Sequence, residues 1–415
     1  MKIKIKVHRS DVSQRFSNWL SCFLASAYTL SSHNKLICQL DSENILHEAT
    51  YGVSANERKS NGLILMEEAN WALYKGSTDN AESRVVTCLV PLPFTFMANT
   101  GSYLDTSFCE QLTVGMKLCS APGDLLQGST DTHPGWEFES AQLICDFVAL
   151  EDKERRAVQA ANYSMTKPLT LLTTSYFREA SFAFPVKANS TGSNEVSLDI
   201  RCNALTECTY WRIVETTNET DDVQVYNKGR ALPPAWVDYS STQRNVPLDA
   251  NNLIGPSGDA VGDIKVNAVA IANDKHSYYG WQSYKIHASG VTICEVESDE
   301  ILLGWGGRGS RAISAMTNNS ASSALSVVSE SEQYLGSTDG FQTASWASDA
   351  KKNGGAYDSG SMSYRMLVNP QLTVKMGVSH AVGHDRTFSL QCFHRCLNLT
   401  SVSSSDGRIS QSVSI

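Results

Sequence analysis

Short apolar runs separated by turn-forming residues recur along most of this chain. The runs are rich in Val, Ile, Leu and aromatic residues, and clusters of Gly, Pro, Asn and Ser bound them. We predict β-strands at residues 84–90, 109–118, 141–150, 180–187, 195–201, 209–215, 263–272, 284–295, 366–375 and 388–399. Many short strands with few helical periods are typical of a β-sandwich or barrel. The pattern therefore predicts an all-β fold.

Residues 1–30 follow a different pattern. Lys2, Lys4 and Lys6 alternate with apolar residues, which predicts a short strand with one basic and one apolar face. From residue 12 to residue 27 the apolar positions recur at helical spacing, which predicts an amphipathic helix. We interpret residues 1–30 as an N-terminal arm. The arm could pack on its own domain, clamp a neighbouring subunit or touch a membrane surface, and the sequence leaves these roles open.

The length of 415 residues exceeds what one hydrophobic core usually supports, so two domains are expected. One further helix is predicted after Glu151, and Lys167-Pro168 ends that region because proline restricts the residue before it. We place the first domain at residues 31–165 and the second at 166–415.

Two long segments of low hydrophobicity interrupt the second domain, at about residues 216–262 and 304–360. Loops of this length usually carry function. If the strands of this domain are lettered B to I, the segments join D to E and F to G. Alternate connections of a sandwich lie at the same end, so we expect both insertions to rise side by side.

Charge and cysteine content narrow the function classes. The net charge of −9 is spread without long basic runs, so we expect no direct nucleic-acid binding. The 11 cysteines show no zinc-finger spacing, and buried free thiols are the expected state. We expect no cofactor and no metal. Five Asn-x-Ser/Thr sequons are candidate glycosylation sites, which matter only if the chain is secreted: Asn162, Asn189, Asn218, Asn318 and Asn398.

No catalytic set emerges from the sequence. Residues 304–309 satisfy a G-x-G-x-x-G pattern, but no βαβ unit surrounds them. His380 and His384 beside Asp385 are more typical of surface histidines than of metal ligands. The acidic pair at 67–68 and the acidic cluster at 295–300 are more typical of solvated edges than of an acid and base pair. We assign no catalytic residue and expect no enzyme.

Four ordered blocks carry a resemblance to a known family. They are LICDFVALEDKERRAVQ at residues 143–159, VPLPFTF at 90–96 with NTGSYL at 99–104, DSGSMSY at 358–364 with NPQLTV at 369–374, and RTFSLQCFHRCLNL at 386–399 with SDGR at 405–408. The chain resembles the double jelly-roll major capsid proteins of nucleocytoplasmic large DNA viruses and their relatives. The resemblance covers roughly residues 85–160 and 175–415.

The resemblance implies two consecutive eight-stranded jelly rolls, with few short helices and long loops in the second. It implies a virion protein made in the host cytoplasm or its viral factory, forming a homotrimeric pseudo-hexagonal capsomer that tiles an icosahedral shell around DNA. The implied partners are copies of itself, neighbouring capsomers, minor capsid and penton proteins, and an internal membrane contacted by the N-terminal arm. Arg155 and Arg156 are candidates for fixing the junction between the barrels, although an exposed helix face explains them equally well. A virion spike or carbohydrate-binding β-sandwich is the alternative, and a β-rich hydrolase is a third hypothesis.

Overall fold

The computed structural model describes eighteen segments of the chain. They are residues 1–9, 15–16, 19–32, 35–50, 55–66, 82–94, 112–118, 126–127, 136–145, 149–154, 156–157, 169–186, 193–215, 281–297, 342–346, 360–377, 386–402 and 409–412.

The described residues up to Gln142 form eight strands and three short helices. The strands are β1 (Lys2–Arg9), β2 (Arg15–Phe16), β3 (Ala25–Ser32), β4 (Lys35–Asp41), β5 (Glu82–Leu89), β6 (Leu112–Leu118), β7 (Leu126–Gln127) and β8 (Trp136–Gln142). The helices are α1 (Leu20–Phe23), α2 (Ser42–Thr50) and α3 (Ala55–Ile64). Strand β1 pairs with β8, β2 with β7 and β3 with β6, all antiparallel. A long hairpin that folds over on itself pairs its strands in this nested order. Strand β5 pairs with the other edge of β1, and β4 pairs with the other edge of β3.

The described residues from Leu169 onward form eleven strands. They are β9 (Leu169–Arg178), β10 (Phe182–Val186), β11 (Ser193–Asp199), β12 (Leu205–Glu215), β13 (Trp281–Ala288), β14 (Val291–Glu297), β15 (Gln342–Ser345), β16 (Met362–Ser363), β17 (Pro370–Gly377), β18 (Arg386–Val402) and β19 (Ile409–Ser412). A short 3-10 turn, Tyr364–Met366, follows β16.

Strand pairing in the second half is nested throughout. Strand β10 pairs with β18, β11 with β17, β12 with β15 and β13 with β14. Pairing of β12 with β18 and of β13 with β17 joins these into two sheets, with the orders β10-β18-β12-β15 and β11-β17-β13-β14. This is the strand order of an eight-stranded jelly roll. Strands β9 and β19 extend the first of these sheets along β18, and β16 extends it along β12.

Each half has its own buried cluster. The first cluster gathers side chains from β1, α1, β3, β4, α2 and β5, and the second lies between the two sheets of the second half. Cys208, Tyr210 and Phe393 of the second half belong to the first cluster. The two cores therefore meet at strands β12 and β18.

If β10 is strand B of this jelly roll, then β12 is strand D and β14 is strand F. The positions of the two insertions then agree with the prediction that they join D to E and F to G. They leave the jelly roll after β12 and after β14, and their own residues lie outside the described part of the chain. Trp211, near the end of β12, contacts Tyr284, near the start of β13, with ring centroids 4.6 Å apart. Since β15 is antiparallel to β12 and β14 to β13, both insertions begin and end at one end of the sandwich. The second insertion is shorter than predicted, because Gln342–Ser345 within the predicted range 304–360 forms β15.

The amphipathic helix predicted over residues 12–27 is wrong. Among the described residues of that range, Arg15–Phe16 form β2, Leu20–Phe23 are helical and residues 25–27 belong to β3. Trp19 has a φ of 59°, which no residue inside a continuous right-handed helix adopts, and its backbone N–H donates to the carbonyl of Met66 at 2.7 Å. Pairing of β3 with β4 and β6 outweighs the helical periodicity of this segment.

Residues 1–30 do not form a separate arm. Strand β1 lies between β5 and β8, and Ile3, Ile5 and Val7 are completely buried on its inner face. The predicted alternation of β1 is confirmed. Its apolar face belongs to the core, so this strand has no apolar face to offer a membrane.

The strand predicted at residues 141–150 is placed too late in the chain, because β8 spans Trp136–Gln142 and shares two residues with the predicted range. Gln142, the last residue of β8, pairs with Lys2 of β1. Leu143 and Ile144, which follow the strand, are exposed.

The single strand predicted at residues 284–295 is a hairpin. Ser289 and Gly290 both have positive φ and form the turn between β13 and β14. The helical turn predicted after Glu151 is confirmed for residues 152–154, and the strand predicted at 263–272 lies outside the described residues.

Candidate functional site at the junction of the two halves

Strands β12 and β18 present alternate side chains to the two cores. Thr209 and Trp211 pair across the sheet with His394 and Cys392, and these residues face the interior of the second jelly roll. The intervening positions on both strands face helix α2 of the first half. Because side chains alternate along a strand, this pair of strands is covered on both faces.

Helix α2 presents a polar edge to that sheet. Its sequence SENILHEAT places Ile45, Leu46 and Ala49 in the first core. Residues one helical turn apart lie on the same face, which groups four polar side chains toward the second half: Glu43, Asn44, His47 and Glu48. Serine at the first position and glutamate in the first turn favour a helix start here.

Arg212 of β12 makes the shortest ion pair of this junction. Its Nη2 donates to Glu43 Oε1 at 2.5 Å, and its Nε donates to Gln391 Oε1 at 3.0 Å. The guanidinium also lies 5.8 Å from the ring centroid of Phe23. Arg212 is 0% exposed, so its guanidinium is not hydrated. The negative charge of the Glu43 carboxylate compensates the buried positive charge of the guanidinium.

Arg395 of β18 forms the second ion-pair centre. Its Nε lies 3.0 Å from Glu207 Oε2, and its Nη1 lies 3.4 Å from Glu48 Oε1. Burial lowers the pKa of Arg395, but the neighbouring carboxylate of Glu48, with Tyr176 and Glu207, outweighs burial and raises it above its ordinary value. The guanidinium therefore stays charged inside the junction.

Tyr210 fills the space between the two ion pairs. Its hydroxyl donates to Asn44 Oδ1 at 2.8 Å, and its ring stacks on His47 with centroids 3.7 Å apart at 7°. On its other side Tyr210 stacks on Phe393 at 5.4 Å. Burial raises the pKa of Tyr210 well above its ordinary value, so the hydroxyl remains a donor. His47 also reaches Thr343 Oγ1 at 3.2 Å, which connects α2 to β15.

The edge of the junction carries one further ion pair, between Arg178 of β9 and Asp41 at 3.4 Å. The arrangement links α2 and the end of β4 to strands β9, β12, β15 and β18 of the second half through charges and hydrogen bonds. Its central charged and polar side chains are buried among one another, which suits a rigid connection between the two halves.

Of the two arginines predicted to fix this junction, Arg156 fits the alternative of an exposed helix face, and the prediction for Arg155 stays untested. Arg156 is exposed, and Arg155 lies outside the described residues. Arginine does hold the barrels together through carboxylates, but the arginines are Arg212 and Arg395. A charged residue inside an apolar strand, as in TYWRIV and CFHRCL, is the signal that marks both.

Few of the other candidate residues from the sequence belong to the described segments. Asn398 is buried in β18, so its side chain is not available for a glycan in the folded chain, and the other four sequons lie outside the described residues. The G-x-G-x-x-G segment, the acidic pair at 67–68 and His380, His384 and Asp385 also lie outside them. In the acidic cluster, Glu295 and Glu297 lie on β14, opposite Lys285 and Ser283 of β13.

Cysteine behaves as predicted within the described segments. Nine cysteines are free thiols there, and seven of them are buried. Over the same residues, no group of three or more His, Cys, Asp or Glu side chains is placed to hold a metal ion. None of the helices that the structure describes has the length and apolar character needed to cross a membrane.

No protein-family model and no curated protein matches this sequence. Solved structures do match it. The crystal structure of PBCV-1 VP54, fitted into a reconstruction of the virophage Sputnik, matches with a TM-score of 0.55 at 10% identity, covering 100% of this chain and 90% of that chain. A quasi-atomic model of the PBCV-1 virus capsid matches with a TM-score of 0.52 at 9% identity, covering 100% and 90%. The mavirus major capsid protein matches with a TM-score of 0.49 at 9% identity, covering 99% and 83%.

The first two matches and the strand order agree. The fold is all-β, and it is that of the double jelly-roll capsid proteins, as the four sequence blocks predicted.

Proposed function

We propose that the chain is a viral major capsid protein that assembles as a homotrimer. The observation that carries the proposal is the extent of the structural match. The match to PBCV-1 VP54 covers 100% of this chain and 90% of the other, so it includes both barrels of this chain. Three copies of a two-barrel chain provide six similar sides. Closed threefold symmetry can then produce a pseudo-hexagonal tile from one gene product.

The junction supports this mechanical role. A tile in a shell transmits force between neighbours, so its two barrels must not move independently. The ion pairs of Arg212 with Glu43 and of Arg395 with Glu48 restrict such motion, because separating the barrels would leave charges without compensation. A role as a structural protein without catalytic activity follows in this proposal.

The remaining elements of the proposal concern location and partners. The chain would reside in the virion shell, after synthesis in the host cytoplasm or its viral factory, and would contact neighbouring capsomers and minor capsid and penton proteins. We place the boundary between the barrels near residues 165–166. The end of β8 at Gln142 and the start of β9 at Leu169 support that position. The two insertions, which leave one end of the second barrel, would form the outward face.

Light scattering on the purified full chain tests the proposal, combined with negative-stain images of the same peak. The proposal predicts a species near three times 45.3 kDa with a pseudo-hexagonal outline. The species should persist on dilution, since obligate interfaces bury about 2,000 Å² or more. A compact monomer at all concentrations would refute the capsomer. That result would favour the spike or carbohydrate-binding alternative, which a glycan array would then examine.

A further inference from the structure

Two cysteines that are far apart in the sequence touch inside the second jelly roll. Cys202 lies in the connection between β11 and β12, and Cys396 lies on β18. Their Sγ atoms are 3.5 Å apart although the residues are separated by 194 positions. Cys202 is 2% exposed and Cys396 is 0% exposed.

Surrounding groups hold Cys202 against β18. Glu179 Oε1 accepts the backbone N–H of Arg201 at 2.7 Å and that of Cys202 at 2.9 Å. The same oxygen lies 3.2 Å from His394 Nε2, two residues before Cys396 on β18. Thr206 Oγ1 is 3.6 Å from the sulfur of Cys202 and 3.8 Å from that of Cys396. The approach of the two sulfurs is therefore fixed by hydrogen bonds on both sides.

The two thiols differ in acidity. The hydrogen bond from Cys396, together with His394 and Thr206, lowers the pKa of Cys202 to about 6 against the opposing effect of burial. The same hydrogen bond and burial raise the pKa of Cys396. Burial lowers the pKa of His394, but Cys392 and Glu179 outweigh it and raise the value to about 10. The pair thus combines a thiolate, a neighbouring thiol and an adjacent cation, and the thiolate is the form of cysteine that acts as a nucleophile.

We propose that Cys202 and Cys396 form a disulfide when the folded chain meets an oxidising environment. The bond would tie the connection before β12 to the long strand β18. A disulfide needs its sulfurs about 2.05 Å apart, which requires them to approach by roughly 1.5 Å through side-chain rotation.

Hydrogen peroxide is the oxidant in this proposal, and it must reach the buried pair during local opening of the fold. The Cys202 thiolate attacks one peroxide oxygen, the O–O bond breaks, and the hydroxide released takes a proton to become water, which leaves a sulfenic acid on Cys202. The sulfur of Cys396 then attacks that sulfur, loses its proton and displaces hydroxide, which leaves as the second water. In sum, two thiols and one peroxide give one disulfide and two waters.

The biological meaning rests on the proposed capsid function. A virion protein folds in a reducing cytosol and later acts outside the cell, where disulfides persist. The disulfide would form after folding and would stabilise the second barrel in particles that have left the cell.

Peptide mapping of the full chain tests the bond directly. Protein purified under reducing conditions is treated with hydrogen peroxide, denatured in N-ethylmaleimide, digested and analysed by mass spectrometry. We expect a cross-linked peptide pair containing Cys202 and Cys396, two hydrogens lighter than the separate peptides and lost on reduction. Recovery of both cysteines as alkylated peptides, or their pairing with other cysteines, would overturn the proposal.

Thermal unfolding provides the second measurement. Closing a loop of 194 residues should raise the apparent Tm of the oxidised protein by roughly 5–10 °C, from loop entropy and the average unfolding entropy per residue. C202S and C396S should both lose this gain. C208S is the matched control, since Cys208 is equally buried, and it should retain the gain. A gain that survives in C396S would contradict the assignment. Neither measurement requires assembly, so a monomeric chain that forms the bond would refute the capsomer and not the disulfide.

Discussion

Arg212 provides the sharpest perturbation of the junction between the barrels. The substitution Arg212→Met keeps a long apolar stem beside Phe23 and removes the charge, which leaves the Glu43 carboxylate buried without its cation. Removing one partner of a buried ion pair costs about 3–5 kcal/mol. With an unfolding entropy of about 2.1 cal/mol/K per residue over the roughly 250 residues of the second half, the apparent Tm should fall by about 6–10 °C.

Two further variants turn this loss into a test of mechanism. Arg156→Met makes the same chemical change at an exposed arginine and should shift the Tm by about 1 °C or less. Combining Arg212→Met with Glu43→Leu removes both charges and should recover most of the lost stability, because an apolar pair of similar volume often replaces a buried ion pair without loss.

Differential scanning calorimetry at one fixed protein concentration measures all three variants, since self-association makes the Tm depend on concentration. The reasoning is refuted if Arg212→Met unfolds at the same temperature as Arg156→Met. It is also refuted if the double variant is less stable than Arg212→Met alone.

Three other predictions follow from single contacts. Tyr210→Phe keeps the stacked ring but leaves the Asn44 oxygen without its donor, so denaturant unfolding should show a loss of about 1–3 kcal/mol, and an unchanged midpoint would contradict the contact. A Cβ added at Gly115 would lie 2.5 Å from Thr29 Oγ1, so Gly115→Ala should cost about 1–2 kcal/mol in the same assay, and adding Thr29→Ala should restore it. The pKa of His394 is raised to about 10 from 6.5, so its stabilising contribution is complete below pH 6.5 and is lost as pH rises toward 10. The Tm difference between wild type and His394→Gln should shrink over that range, and a constant difference would contradict the assignment.

The strands that sequence patterning located best are those with strong apolar runs. Strands β5, β6, β11, β12, β17 and β18 overlap the predicted runs, because a strand buried on one or both faces needs little information beyond its own residues. The helix predicted over residues 12–27 runs three residues into β3, because Leu24 and Ala27 continue the helical spacing of the apolar positions. The pairing of β3 with β4 and β6, which the local pattern does not contain, makes these three residues a strand.

Helix α2 and its ion pairs could not be predicted from local pattern. The helix has only nine residues, and its polar face packs against β12 and β18 instead of facing water, so the helix does not follow the pattern of a surface helix. Glu43 and Arg212 are 169 positions apart, and Glu48 and Arg395 are 347 positions apart. Periodicity reports the environment of a residue and not its distant partner. The arginines inside apolar strands could be recognised from the sequence, but the glutamates that pair with them could not.

The central claim is that this chain builds a threefold tile from two jelly rolls per copy. Single-particle cryo-electron microscopy of the purified oligomer, reconstructed without imposed symmetry, tests it most directly. The account predicts three copies around one axis, six barrels in a pseudo-hexagonal ring, and helix α2 seated on β12 and β18 in every copy. A single copy, a twofold assembly, or barrels that move relative to one another within a copy would contradict it.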